Sequence, residues 1–251
     1  MTTPIDISEE AGVRYLHFGS TWIQGALRIA RPWNLELEYT REMIASLLLR
    51  DDTHWPRKVL LIGLGAASLT KFLYRNFPLA HLTVVEIAPE VVAAARQFFK
   101  LPEDPKRVNI VIGDGVEYML NSDKKFDLIL VDGYDENASS GALDTLPFYQ
   151  ACRARLSKSG ILSVNLLTSN RRFNGSITRI AEAFDDRVLA FPSCESGNAI
   201  ALAADGEHVE ISFYDLREKA LELNKETGLN LMPAIARLAQ AKTCLNDTLS
   251  L

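Results

Sequence analysis

The stretch RKVLLIGLGAASLTKFLYR, residues 57–75, decides the fold. KVLLIG (58–63) is a continuous apolar run ending in glycine, the pattern of a parallel strand buried on both faces. Leu69, Phe72 and Leu73 then recur at helical spacing. Gly63 and Gly65 lie between strand and helix, and Gly65 lets backbone approach a ligand where a side chain would block it. A strand, loop and helix in this order put a ligand at the carboxyl end of a sheet. G-x-G by itself also describes a tight turn, so its surroundings must choose between the two readings.

Working outward, LTVVEI (82–87), VNIVIGD (108–114), FDLILVD (126–132) and ILSVNLL (161–167) read as further strands. Between them lie PEVVAAARQFF (89–99), a helix opened by Pro89, a helix from Phe148 to Leu156 closed by Ser159-Gly160, and another near 174–184. VLAFP (188–192) and AIALAA (199–204) are closing strands too near each other for a helical crossover, so they should pair antiparallel. This alternation predicts an α/β fold with a doubly wound, mostly parallel, seven-stranded Rossmann-like sheet. Upstream, 13–18 and 26–30 suit small strands, and Tyr39, Met43, Ile44, Leu47 and Leu48 mark a helix. DLREKALELNKE and PAIARLAQAK read as helices of a final zone. The expected parts are a small N-terminal β region or lid (1–50), a nucleotide-binding domain (51–206) and a helical C-terminal extension (207–251) that serves packing or dimerisation.

Composition narrows the partners. A net charge of −5 argues against a nucleic-acid partner held by general electrostatics. No apolar run reaches the roughly 18–20 residues that span a bilayer, and the start MTTPIDISEE is too polar and acidic for a secretory signal, so no membrane is expected. Cys152, Cys194 and Cys244 are few, odd in number and far apart, which predicts reduced thiols in a cytoplasmic protein. His17, His54, His81 and His208 fall into no metal or triad pattern. Trp22, Trp33 and Trp55 read as packing residues, and Arg171-Arg172 as a solvated loop.

The chemistry is expected at the strand ends. Glu86 closes the second strand about 20 residues after the loop, where an acid can accept both ribose hydroxyls. A dinucleotide fold favours a third glycine where this chain has Ser68. The third strand ends in Gly113-Asp114-Gly115, and a carboxylate there can accept from an adenine amino group. Asp114 alone would be a helix N-cap; beside Glu86, binding is the better reading. Two acids at successive strand tips suit adenosine without phosphates. Asp132 and Asp135, in VDGYDENASSGA, belong either to an acidic turn or to the mouth of the site.

Over most of residues 13–204 the order of segments resembles the spermidine synthases, the polyamine aminopropyltransferases. The matching pieces are WIQG, LEYTREMIASLLL, RKVLLIGLGAAS, LTVVEIAPEVV, VIGDGVEYM, FDLILVDGYDENASSGA and FYQACRARLSKSGILSVNL. The resemblance implies a methyltransferase-like sheet under a small β-domain. It implies transfer of an aminopropyl group from decarboxylated S-adenosylmethionine to putrescine or a related amine, with no metal. It gives Glu86 the ribose and Asp114 the adenine end, with Gly63, Gly65, Gly115 and Asp132 completing the cofactor site and Gln24 reaching it from the lid. Asp135 becomes the acid that binds and deprotonates the amine, and Tyr39 orients that amine. Family habit and the C-terminal zone imply a homodimer. Glu195 falls on the family's amine-site wall.

The departures are specific. The family's Gly-rich loop carries an Asp where this chain has Ala66. Its catalytic Asp-Pro is Asp135-Glu136, the Gln after its Tyr is Thr40, and one of two acids before that Tyr is Leu35. The alternatives are methyl transfer from intact S-adenosylmethionine, favoured by Ala66, and a catalytically silent nucleotide-binding homologue. An NAD-dependent oxidoreductase fits Ser68 poorly.

Overall fold

The computed structural model describes residues 3–52, 54–135, 139–168, 173–192, 197–240, 244–245 and 247–251, the last pair before the gap by backbone alone. Arg171, Arg172, Glu136, Cys194 and Glu195 lie outside the described residues.

Strands β1 (Asp6–Glu10), β2 (Val13–His17) and β3 (Gly25–Arg28) form an antiparallel sheet in that order. β1 carries DISEE, with no apolar alternation, and is held by its ladder to β2; that is why the sequence pattern does not reveal it. Helix α1 (Glu38–Ile44) follows and tightens into a 3-10 turn over Ala45–Leu49.

The central layer is built from β4 (Lys58–Ile62), α2 (Ser68–Asn76), β5 (His81–Glu86), α3 (Pro89–Phe98), β6 (Val108–Ile112), α4 (Gly115–Asn121), β7 (Phe126–Val131), α5 (Leu146–Arg155), β8 (Leu156–Leu167), α6 (Phe173–Ala183), β9 (Val188–Ala190) and β10 (Asn198–Ala204). Its seven strands run β6-β5-β4-β7-β8-β10-β9. The five strands from β6 to β8 are parallel, while β10 is antiparallel to both β8 and β9. The chain winds outward from β4 through β5 to β6, then returns beside β4 as β7. The order reverses between β4 and β7, and such a switch point opens a crevice at the carboxyl ends of the strands.

Both faces of this sheet are covered. Val59, Leu61, Leu128 and Leu130 pack with α1, α2 and the C-terminal helices, while Leu60, Ile62, Ile129 and Val131 pack with α4, α5 and α6. Burying each such side chain contributes about 1.5–3 kcal/mol, which explains the unbroken apolar runs.

Two expectations need correction. Helix α5 ends at Arg155, and Ser159-Gly160 lies inside β8 rather than closing the helix. The register jumps from Phe126↔Leu156 to Leu128↔Ile161, so the extra residues bulge out of the ladder, with Ser157 Oγ donating to Asp127 Oδ1 at 2.8 Å. The final zone is not wholly helical. Strands β11 (Glu210–Ser212), β12 (Cys244–Leu245) and β13 (Thr248–Ser250) make a small antiparallel sheet, ordered β11-β13-β12, around α7 (Phe213–Thr227) and α8 (Met232–Leu238). α7 begins at Ser212, whose Oγ accepts from Asp215 N, and stops at Gly228 with φ +75°.

Candidate active site

A cavity of about 690 Å³ opens at the switch point. All nine residues singled out from the sequence line it: Gln24, Tyr39, Gly63, Gly65, Glu86, Asp114, Gly115, Asp132 and Asp135.

The glycines are there for close approach. Gly63 has φ +93°, and a Cβ on it would stand 2.1 Å from Asp132 O. Gly63→Ala is therefore expected to lower folding stability by about 3 kcal/mol, seen as a fall in the urea midpoint at unchanged slope. Gly65 has φ +50° and passes under the lid, where its added Cβ would meet Gln24 O at 3.1 Å. Beside it, a Cβ on Gly25 would lie 2.6 Å from Ala66 Cβ. Ala66 is buried with Leu16, Leu27 and Phe99, between lid and sheet, and is absent from the cavity lining.

Glu86 ends β5 and is buried. Its Oε2 accepts from Leu64 N at 2.9 Å and its Oε1 from Ala88 N at 3.0 Å. Burial pushes the carboxyl above the usual glutamate range, and these backbone N–H groups pull against that rise. Each oxygen keeps a second lone pair for a ligand hydroxyl. Ile87, beside it, lines the cavity with 68% of its surface exposed and offers an apolar face. Asp114 caps α4, with Oδ1 accepting from Val116 N at 2.7 Å and Glu117 N at 3.1 Å, and it also lines the cavity. Leu143 packs there too, close enough that a Cβ on Gly133 would fall 2.5 Å from its Cδ1.

Asp132, just beyond β7, is the hub of a polar chain that motif reading did not find. Tyr39 Oη donates to its Oδ2 at 3.1 Å and Asn165 Nδ2 to its Oδ1 at 2.8 Å. Asn198 Nδ2 in turn donates to Asn165 Oδ1 at 2.8 Å, fixing which way that amide faces. Tyr134 Oη donates to Asn165 O at 2.7 Å. Burial raises the Asp132 carboxyl above the ordinary aspartate range, while the two donors favour its charged form. One signal was available: Asn165 is an amide inside the buried run ILSVNLL, where polar groups need partners. Asp135 itself is exposed; its N donates to Ser139 O at 3.0 Å, and Ser139 N donates to its Oδ1 at 2.8 Å.

Charge gives the site its character. Glu38, Glu86, Asp114, Asp132 and Asp135 line the cavity, and among its described lining residues there is no Lys, Arg or His. Such a surface is complementary in charge to a cation.

A family model described as the spermine/spermidine synthase domain matches residues 37–170. A polyamine aminopropyltransferase of Chromobacterium violaceum is 36% identical over 236 residues, covering 94% of this chain and 89% of that protein. The chain belongs to the spermine/spermidine synthase family. Among solved structures, a probable spermidine synthase from Corynebacterium glutamicum superposes with TM-score 0.73 at 19% identity, over 90% of this chain and 85% of the other. A spermidine synthase in complex with the transition state analogue AdoDATO gives 0.65 at 23%, over 94% and 85%. These two show a shared fold. Membership of the spermine/spermidine synthase family accounts for the small β-sheet seated over a Rossmann-like layer.

Proposed function

We propose that this chain transfers an aminopropyl group from decarboxylated S-adenosylmethionine to a small amine. The observation that carries the reading is the cavity's set of five carboxylates with no Lys, Arg or His among its described lining residues. The names of the relatives, polyamine aminopropyltransferase and spermidine synthase, point the same way.

Its size suits a nucleoside with a short tail. Glu86 accepts from the ribose hydroxyls, Asp114 and the apolar faces of Ile87 and Leu143 hold the adenine end, and Gly63, Gly65 and Gly115 let backbone come close. Gln24 covers the ligand from the lid. Asp132, oriented by its bonds from Tyr39 and Asn165, faces the sulfonium. The acceptor nitrogen reaches the site as an ammonium without a lone pair, so Asp135 attracts it and takes one proton. That nitrogen then attacks the aminopropyl carbon next to sulfur. The C–N bond forms as the C–S bond breaks, and the bonding pair returns to sulfur as a neutral thioether. The protein's part is positioning and the exclusion of water. A cytoplasmic homodimer belongs to the same reading.

Methyl transfer from intact S-adenosylmethionine is the weaker reading. Its substrate carries an extra carboxylate, which these acids repel and no cation among the described lining residues receives. Calorimetric titration of the purified chain tests the choice. Decarboxylated S-adenosylmethionine is expected to bind at least tenfold more tightly than the intact form, and NAD not at all. A preference for the intact form would overturn the proposal.

A further inference from the structure

One carboxylate of the cavity stands apart from the ribose, adenine, sulfonium and proton-transfer roles. Glu38 opens α1, beside Tyr39, and is one of the residues that line the cavity. It is held from behind by α8: Arg237 NH1 donates to Glu38 Oε1 at 2.6 Å. The same guanidinium serves Glu42, one turn further along α1, through Nε to Oε1 at 2.7 Å and through NH2. Glu42 is fully buried, and its Oε2 has no partner among the described residues.

One guanidinium thus answers two carboxylates, and most of its donors go to the buried one. Glu38 receives a single bond on Oε1, while its Oε2 takes none among the described residues and its side chain keeps 36% of its surface exposed. A free glutamate would lose rotamer entropy on gripping a ligand; this one has been ordered in advance by a residue 199 positions away. With no Lys, Arg or His among the described lining residues, the cavity itself offers Oε2 no competing cation. Ala66, buried between lid and sheet, adds no acid to this wall.

We infer that Glu38, braced by Arg237, is a specificity-determining anion that receives a primary ammonium group of the substrates. The inference rests on the proposed function and extends it. Two groups share this chemistry: the ammonium of the aminopropyl tail and the far ammonium of a diamine acceptor.

The test compares full-length wild type with Glu38→Gln in three measurements. These are the affinity for decarboxylated S-adenosylmethionine, the KM for putrescine, and the affinity for methylthioadenosine, the neutral thioether left after transfer. Glu38→Gln is expected to weaken one of the first two by roughly tenfold, the loss of a charge-assisted hydrogen bond, and to leave methylthioadenosine within twofold. A loss in the first names the aminopropyl tail, and a loss in the second names the acceptor. Unchanged constants for both ammonium ligands would overturn the inference alone. So would an equal loss for methylthioadenosine, which would make Glu38 a general support of the cavity. Absence of any wild-type turnover would instead overturn the proposed function and this inference with it.

Discussion

Asp135→Asn is expected to leave nucleoside affinity within about twofold while lowering turnover by two to four orders of magnitude, the usual range for loss of a general base. The substitution is isosteric. Asn Oδ1 can still accept from Ser139 N, and the main-chain bond from residue 135 to Ser139 O is untouched, so both bonds between the two residues remain. What disappears is the proton acceptor and the charge that draws an ammonium ion inward. The deficit should shrink as pH rises toward the titration range of an alkylammonium, near 10.4 for a lysine-type amine, because the acceptor then arrives with its lone pair free. Calorimetry for binding and single-turnover measurements across pH separate the two effects. Wild-type turnover in this variant would remove Asp135 from the mechanism.

Glu86→Gln is expected to weaken nucleoside binding by about a hundredfold, close to 2.7 kcal/mol. The reason lies behind the ligand as much as in front of it. Leu64 N and Ala88 N each claim one carboxylate oxygen of Glu86. An amide has a single oxygen, so one backbone N–H must face an NH₂ group, and either the Gly63–Gly65 loop or the start of α3 shifts. The ribose loses an acceptor at the same time. In the wild type, binding should fail on the acid side with an apparent pKa above the ordinary glutamate value of 4.5, since burial raises this carboxyl. The sign follows directly: the ionised form accepts the hydroxyls, and it is lost as pH falls through the raised pKa. Equal affinity in variant and wild type would take the ribose away from Glu86.

The central layer was legible because its strands are covered on both faces and therefore written as continuous apolar runs. The acids at the strand ends could be read for a related reason: Glu86, Asp114 and Asp132 each stop an apolar run, and a charge there points to an open end of the sheet. Distance and brevity hid the rest. Asn165 and Asn198 are 33 residues apart, and nothing local says that one orients the other. Arg237 sits on a helix that reads as packing, yet it reaches across to Glu38 and Glu42. The C-terminal sheet is made of strands of three, two and three residues, too short to carry a period. Ser159-Gly160 looked like a stop because serine and glycine favour turns, and here the turn chemistry serves a bulge within β8.

The contact between Gly25 and Ala66 sets a rule for anyone redesigning this enzyme. An acid installed at position 66 would start from a Cβ already pressed against the lid, among Leu16, Leu27 and Phe99. The two positions therefore form an epistatic pair: enlarging either one first costs lid packing, and any gain in the cavity comes only after the other has yielded. A library that varies the Gly-rich loop alone will sample a restricted landscape. One that varies residues 25 and 66 together, with Glu38 as a third site, explores the wall from both sides.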